Sequence, residues 1–171
     1  MAARKILIYP DPFLHRVAKE VTSFHGDLQR IVREMIETMA SLGHCIGIAA
    51  NQVGVEQRIF VMDTSRRNKS SQGLVVLINP FVQTHGGSTY SKEGCLSLPP
   101  YLGRVGRSEN VTLSGFTESG EKKTWSFTGL DAICAQHELD HLNGMLFIDR
   151  LTSLRSDLSM RKMAVKTSRN L

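Results

Sequence analysis

At 171 residues and 41% hydrophobic content, the chain has the size and apolar fraction of one globular domain with its own core. It contains no apolar stretch long enough to cross a membrane, and the four-residue apolar run before Pro10 is too short for a secretory signal. The net charge of +5 is concentrated at the end: residues 151–171 hold Arg155, Arg161, Lys162, Lys166 and Arg169 against Asp157 alone, a local +4 that leaves +1 for the rest.

The segment Ile6–Leu14 is broken by Pro10 and Pro12, which predicts extended or turning chain. Leu28, Ile31, Val32, Met35, Ile36 and Met39 then recur at three- and four-residue spacing, predicting an amphipathic helix from Gly26 to about Leu42-Gly43. Residues 43–54 are dense in small side chains, as expected where backbone approaches something closely. Residues 57–63 and 74–80 have the content of buried strands, joined by a polar loop over 64–73, and Gly86-Gly87 marks a turn. Residues 110–116 and 123–127 read as a hairpin across 118–121. Thr128 is placed to cap a second helix, Gly144 to stop it, and a last amphipathic helix is expected over Ser153–Lys166. Repeats and linkers are absent. The expectation is a single α+β domain over residues 1–171, with mostly antiparallel sheets around a central helix, an N-terminal amphipathic helix and a basic C-terminal helix or tail over 152–171.

The central helix carries the chemistry. In Gln136-His137-Glu138-Leu139-Asp140-His141 the two imidazoles stand one turn apart on one face and can grip one metal ion, with Glu138 beside them to move protons. A catalytic site of this type takes three protein ligands and leaves one position open. An HExxHxxGxxH extension fails because Phe147 stands where the third histidine would be, and no glutamate follows Glu138. Asp149 and Asp157 survive as candidates, while His15, His25, His44 and His85 fall in polar or turn contexts and are expected to face solvent. Three cysteines are too few, and odd in number, for a disulfide framework; a reducing, cytoplasmic setting is expected, where thiolates can serve as ligands. Cys134 lies on the helix itself and suits burial. Cys95, between Gly94 and the turn-prone Leu98-Pro99-Pro100, can meet the helix without crowding and is the preferred third ligand.

Taken together, Gly47-Ile-Ala-Ala-Asn-Gln52, Glu93-Gly-Cys-Leu-Ser97 and Gln136-His-Glu-Leu-Asp-His141 resemble the three ordered motifs of the peptide deformylases, and the resemblance runs from about Ile6 to Leu151. It implies a hydrolase that removes the N-formyl group from the N-terminal methionine of nascent polypeptides and releases formate. It further implies one divalent metal on Cys95, His137 and His141, ferrous iron in the cell with Zn²⁺, Ni²⁺ or Co²⁺ as substitutes, and a metal-activated water as nucleophile. Glu138 would be the general acid/base, and the Gln52 amide and the Leu96 N–H would hold the oxyanion. Ile46, Gly47, Gly94, Leu130, Ile133 and Cys134 would contact the substrate, although Leu130 and Ile133 suit core packing equally well.

The chain departs from the family pattern at Cys45, where the first loop glycine is expected, and at Tyr101-Leu102-Gly103, where many bacterial members carry an arginine. Ser91 makes the pocket rim more polar than expected. In the family a C-terminal helix can dock on the ribosome, a role that Arg155, Arg161, Lys162 and Lys166 would serve here.

Overall fold

The apolar stripe of residues 26–41 and the strands that follow decide the architecture. A computed structural model describes residues 3–161. Helix α1 (Gly26–Ser41) buries Leu28, Ile31, Val32, Met35 and Met39, the stripe the spacing predicts. It packs on one face of a five-stranded antiparallel sheet of order β1 (Gly47–Ala49), β2 (Ile59–Met62), β3 (Val75–Gly86), β6 (Asn110–Phe116) and β7 (Lys122–Thr128). Helix α2 (Gly129–Leu142) covers the other face.

Alternation along β2 divides the core. Ile59 and Val61 join Met35 and Ile48 beneath α1, while Phe60 and Met62 join Leu77, Leu113 and Phe127 beneath α2. Both faces of β2 are therefore buried, and its four apolar residues in a row reflect that position. Each such side chain contributes about 1.5–3 kcal/mol on burial, so the stack fixes α2 firmly against the sheet.

The predicted hairpin forms with Asn110 opposite Thr128 and Phe116 opposite Lys122. Strand β3 runs past the expected end at Pro80, and the reason is a bulge. Asn79 takes φ 52° and its side chain bonds both backbone groups of Val21 (2.8 and 2.9 Å), while the ladder is irregular between Ile78 and Phe81, where a missing proline N–H is tolerated.

A second antiparallel sheet, β4 (Thr89–Gly94), β5 (Tyr101–Arg107) and β8 (Leu158–Met160), was not anticipated from the sequence. It closes a third apolar cluster of Leu14, Cys95, Leu98, Val105, Leu146 and Phe147. The expected helix over Ser153–Lys166 is corrected as far as Arg161. Only α3 (Leu154–Asp157) is helical, and Leu158–Met160 instead pairs with Tyr101–Gly103. Lys162, Lys166 and Arg169 lie outside the described residues. None of the helices is long and apolar enough to cross a membrane, among the described residues.

Candidate metal centre

Helix α2 sets the site. Thr128 occupies the N-cap position, but its side chain makes no capping bond. Gly144, at φ +74°, ends the helix with its N–H on the His141 carbonyl at 2.9 Å. Between these ends the 3.6-residue repeat stacks His137 and His141, whose ring centroids lie 4.9 Å apart. Cys95 arrives from the turn after β4, and its Sγ lies 3.2 Å from His141 Nε2. One ligand atom from each of Cys95, His137 and His141 falls within 4.8 Å of the others.

Hydrogen bonds fix His137 and reach Cys95, whereas the buried His141 Nδ1 has no partner among the described residues. A carboxylate can only accept, so His137 Nδ1 donates to Glu93 Oε2 (2.8 Å), which fixes the orientation of the ring. Arg107 forks onto both Glu93 oxygens (2.8 and 2.9 Å) and reaches Asp140, which also pairs with Arg150. Burial would raise the Glu93 carboxyl, but the bonds from Arg107 and His137 override it and hold the group at about 2. Burial, with the charges of His137 and Arg107, pushes the His141 pKa well below the imidazole range, so this ring is neutral. Burial acts in the same direction on His137, yet Cys95 and Glu93 raise its pKa well above the ordinary value. The donor set attracts positive charge.

Gln52 accepts from the Ala49 N–H through Oε1 (3.0 Å) and turns Nε2 toward Cys95 Sγ (3.3 Å) and Ser97 Oγ (3.2 Å). Glu138 is 3% exposed, and its Oε2 has no hydrogen-bond partner among the described residues. Burial pushes this carboxyl up to about 7, with His137 acting in the opposite sense.

A cleft of about 450 Å³ brings together Gln52, Cys95, Leu96, His137 and Glu138 with Ile46, Gly47, Gly94, Leu130, Ile133 and Cys134; His141 is fully buried and does not line it. Leu130 and Ile133 are half-buried on this cleft rather than in the core under α2. The other candidates lie outside the three-donor cluster, although His44 lines the cleft. Asp149 caps its own turn by accepting from Leu146 N (2.8 Å), Asp157 accepts from Ser153 N (3.0 Å), and His15, His25, His44 and His85 are exposed. Cys45 is no open thiol: it donates to the Gly47 carbonyl (3.0 Å), and burial pushes it up to about 12.

The sequence pattern of the polypeptide deformylases matches residues 3–157. The chain belongs to that family. A peptide deformylase of Thermodesulfovibrio yellowstonii is 43% identical over 97% of this chain and 99% of its own. The crystal structure of a peptide deformylase from Legionella pneumophila superposes with a TM-score of 0.83 at 38% identity, covering 90% of this chain and 89% of its own. A Met-Ala-Ser-bound class I type b peptide deformylase from Acinetobacter baumannii superposes with a TM-score of 0.81 at 30% identity, covering 88% and 99%. Membership makes the chain a hydrolase of a metalloenzyme family and implies removal of N-formyl groups from nascent peptides.

The charged lattice behind the three-donor cluster is only partly legible in the sequence. Glu93 and Asp140 lie inside the quoted motifs, so their proximity to Cys95 and His141 was a usable signal. Arg107 had none: only the β4–β5 pairing carries it to Glu93, fourteen positions away in the chain.

Proposed function

We propose that the chain hydrolyses the formamide of N-formylmethionyl peptides at a divalent metal held by Cys95, His137 and His141. The donor set fits such an ion: one thiolate and two imidazoles suit Fe²⁺, Zn²⁺, Ni²⁺ or Co²⁺, with iron our choice for the cell. Bonds of about 2.0–2.3 Å to a tetrahedral ion place donors about 3.5 Å apart, inside the 3.2–4.8 Å range seen here. Such an ion supplies Lewis acidity, which lowers the pKa of water toward 7.

The chain's own residues do the rest. Glu138, raised to about 7, can take the proton of the attacking water and return it to the departing amine near neutral pH. The Gln52 amide, braced by Ala49, and the Leu96 N–H would meet the oxygen on which charge develops. Strands β1 and β4 are both sheet edges on the cleft, so a peptide can lie along Ile46, Gly47 and Gly94 as an added strand. Leu130, Ile133 and Cys134 would receive the methionine side chain. The Met-Ala-Ser ligand of the Acinetobacter relative supports this choice of substrate. Docking of the basic C-terminal segment on ribosomal RNA remains part of the proposal. Salt-sensitive pelleting with ribosomes that is lost on truncation at Ser153 would support it, and equal pelleting would end it.

The observation that carries the proposal is the buried Glu138 carboxyl, whose Oε2 has no hydrogen-bond partner among the described residues, beside the three-donor cluster. The test is formate release from formyl-Met-Ala-Ser, with unformylated peptide and casein as controls. Glu138→Ala should abolish turnover while metal content by elemental analysis stays near one per chain. Metal loss in that variant would make Glu138 a ligand instead.

A further inference from the structure

Strand β8 ends at the substrate cleft. The Arg161 N–H bonds the Pro100 carbonyl (2.7 Å), and the side chain turns back over β4, so a Cβ added at Gly94 would lie 2.7 Å from Arg161 Nη2. Gly94 immediately precedes the ligand Cys95, and Arg161 lines the same cleft. Two further exposed cations line it, Lys92 on β4 and Arg67 in the 64–73 loop, where Arg67 Nη2 holds the His44 carbonyl at 2.7 Å. The acidic residues of the lining are Glu93 and Glu138. Both are buried, and Glu93 is already paired with Arg107. The cleft mouth is therefore positive, with no exposed carboxylate among its described lining residues to balance it.

We propose that Arg161, with Lys92 and Arg67, selects formylated peptides that carry acidic side chains just after methionine and disfavours basic ones. The inference rests on the deformylase reading above. Its physical basis is steering and pairing at a cleft mouth lined by one sign of charge, where like charges are penalised and opposite charges speed encounter. The C-terminal strand thus supplies a cation at the wall where Leu102 offers none.

The test compares kcat/KM for the amides formyl-Met-Asp-Asp-NH2, formyl-Met-Ser-Ser-NH2 and formyl-Met-Lys-Lys-NH2, so that side chains carry the only peptide carboxylates. The acidic peptide should exceed the basic one by about tenfold at low salt, mostly through KM. At 1 M salt, where screening acts over about 3 Å, the ratio should approach one. Arg161→Ala should shrink the ratio, Arg161→Glu should invert it, and Lys122→Ala, on β7 outside the cleft, should leave it in place. A wild-type ratio near one, or one that survives Arg161→Glu, overturns the inference. Absence of formate from all three peptides overturns the deformylase reading instead.

Discussion

A methyl group added at Gly47 would stand 2.5 Å from Glu138 Oε1 and 2.8 Å from Cys134 Sγ. The first neighbour is the free end of a flexible side chain, so it yields by moving rather than by unfolding the strand. Gly47→Ala should therefore lower kcat by about 100-fold, the scale of a displaced general base, while the melting temperature shifts by only a few degrees. Unchanged kcat would mean that the carboxylate tolerates the shift. Cys45, two residues earlier, is a half-buried thiol held by its bond to the Gly47 carbonyl. With its pKa pushed up to about 12, the thiolate fraction at pH 8 is on the order of 10⁻⁴. Iodoacetamide should label Cys45 far more slowly than free glutathione, as mass spectrometry of the native protein would report. Labelling at the glutathione rate would contradict the shielding of this half-buried thiol by its bond to Gly47.

Elements became legible in proportion to the simplicity of their surroundings. α1 faces the core on one side only, so its stripe gave its limits nearly to the residue. The hairpin of β6 and β7 likewise showed its alternation. β5 did not, because its inward positions are Gly103, Val105 and Arg107, and a buried arginine is invisible to a hydrophobic pattern. That arginine predicts a pH-dependent cost. The folded chain holds Glu93 at about 2, below the ordinary 4.5, so its ion pair stabilises fully above about pH 4.5 and fades as pH falls toward 2. Arg107→Met strands the buried carboxylates of Glu93 and Asp140 and should cost about 3–5 kcal/mol at pH 7. The difference from wild type should narrow below pH 4.5, as protonation relieves the stranded charge. Urea melts on chelator-treated protein at pH 7 and pH 4 would measure it, and an equal penalty at both values would remove electrostatics as the cause.

At the scale of the whole molecule the three donors come from separate pieces: Cys95 follows β4 of the smaller sheet, while His137 and His141 belong to the helix packed on the larger one. Motif spacing could indicate that these pieces meet, because each motif carries its own reactive residue. It could not indicate how, since β4, β5 and β8 lack a hydrophobic signature and the return of Arg161 to the cleft depends on strand pairing across more than fifty residues. A metal shared by both pieces would tie one sheet to the other and stabilise the fold as well as the reaction. At an ion activity about 1,000 times the dissociation constant, binding adds about 4 kcal/mol. For a chain of this size that is a melting-temperature difference on the order of 10 °C. Dialysis against a chelator should therefore lower the melting temperature by about that amount and stop formate release, and stoichiometric Fe²⁺ or Ni²⁺ without oxygen should restore both. Cys95→Ser should show the lower melting temperature from the start and gain little from added metal. If chelation removed activity but left the melting temperature unchanged, the ion would be held by α2 alone and Cys95 would not join the two sheets.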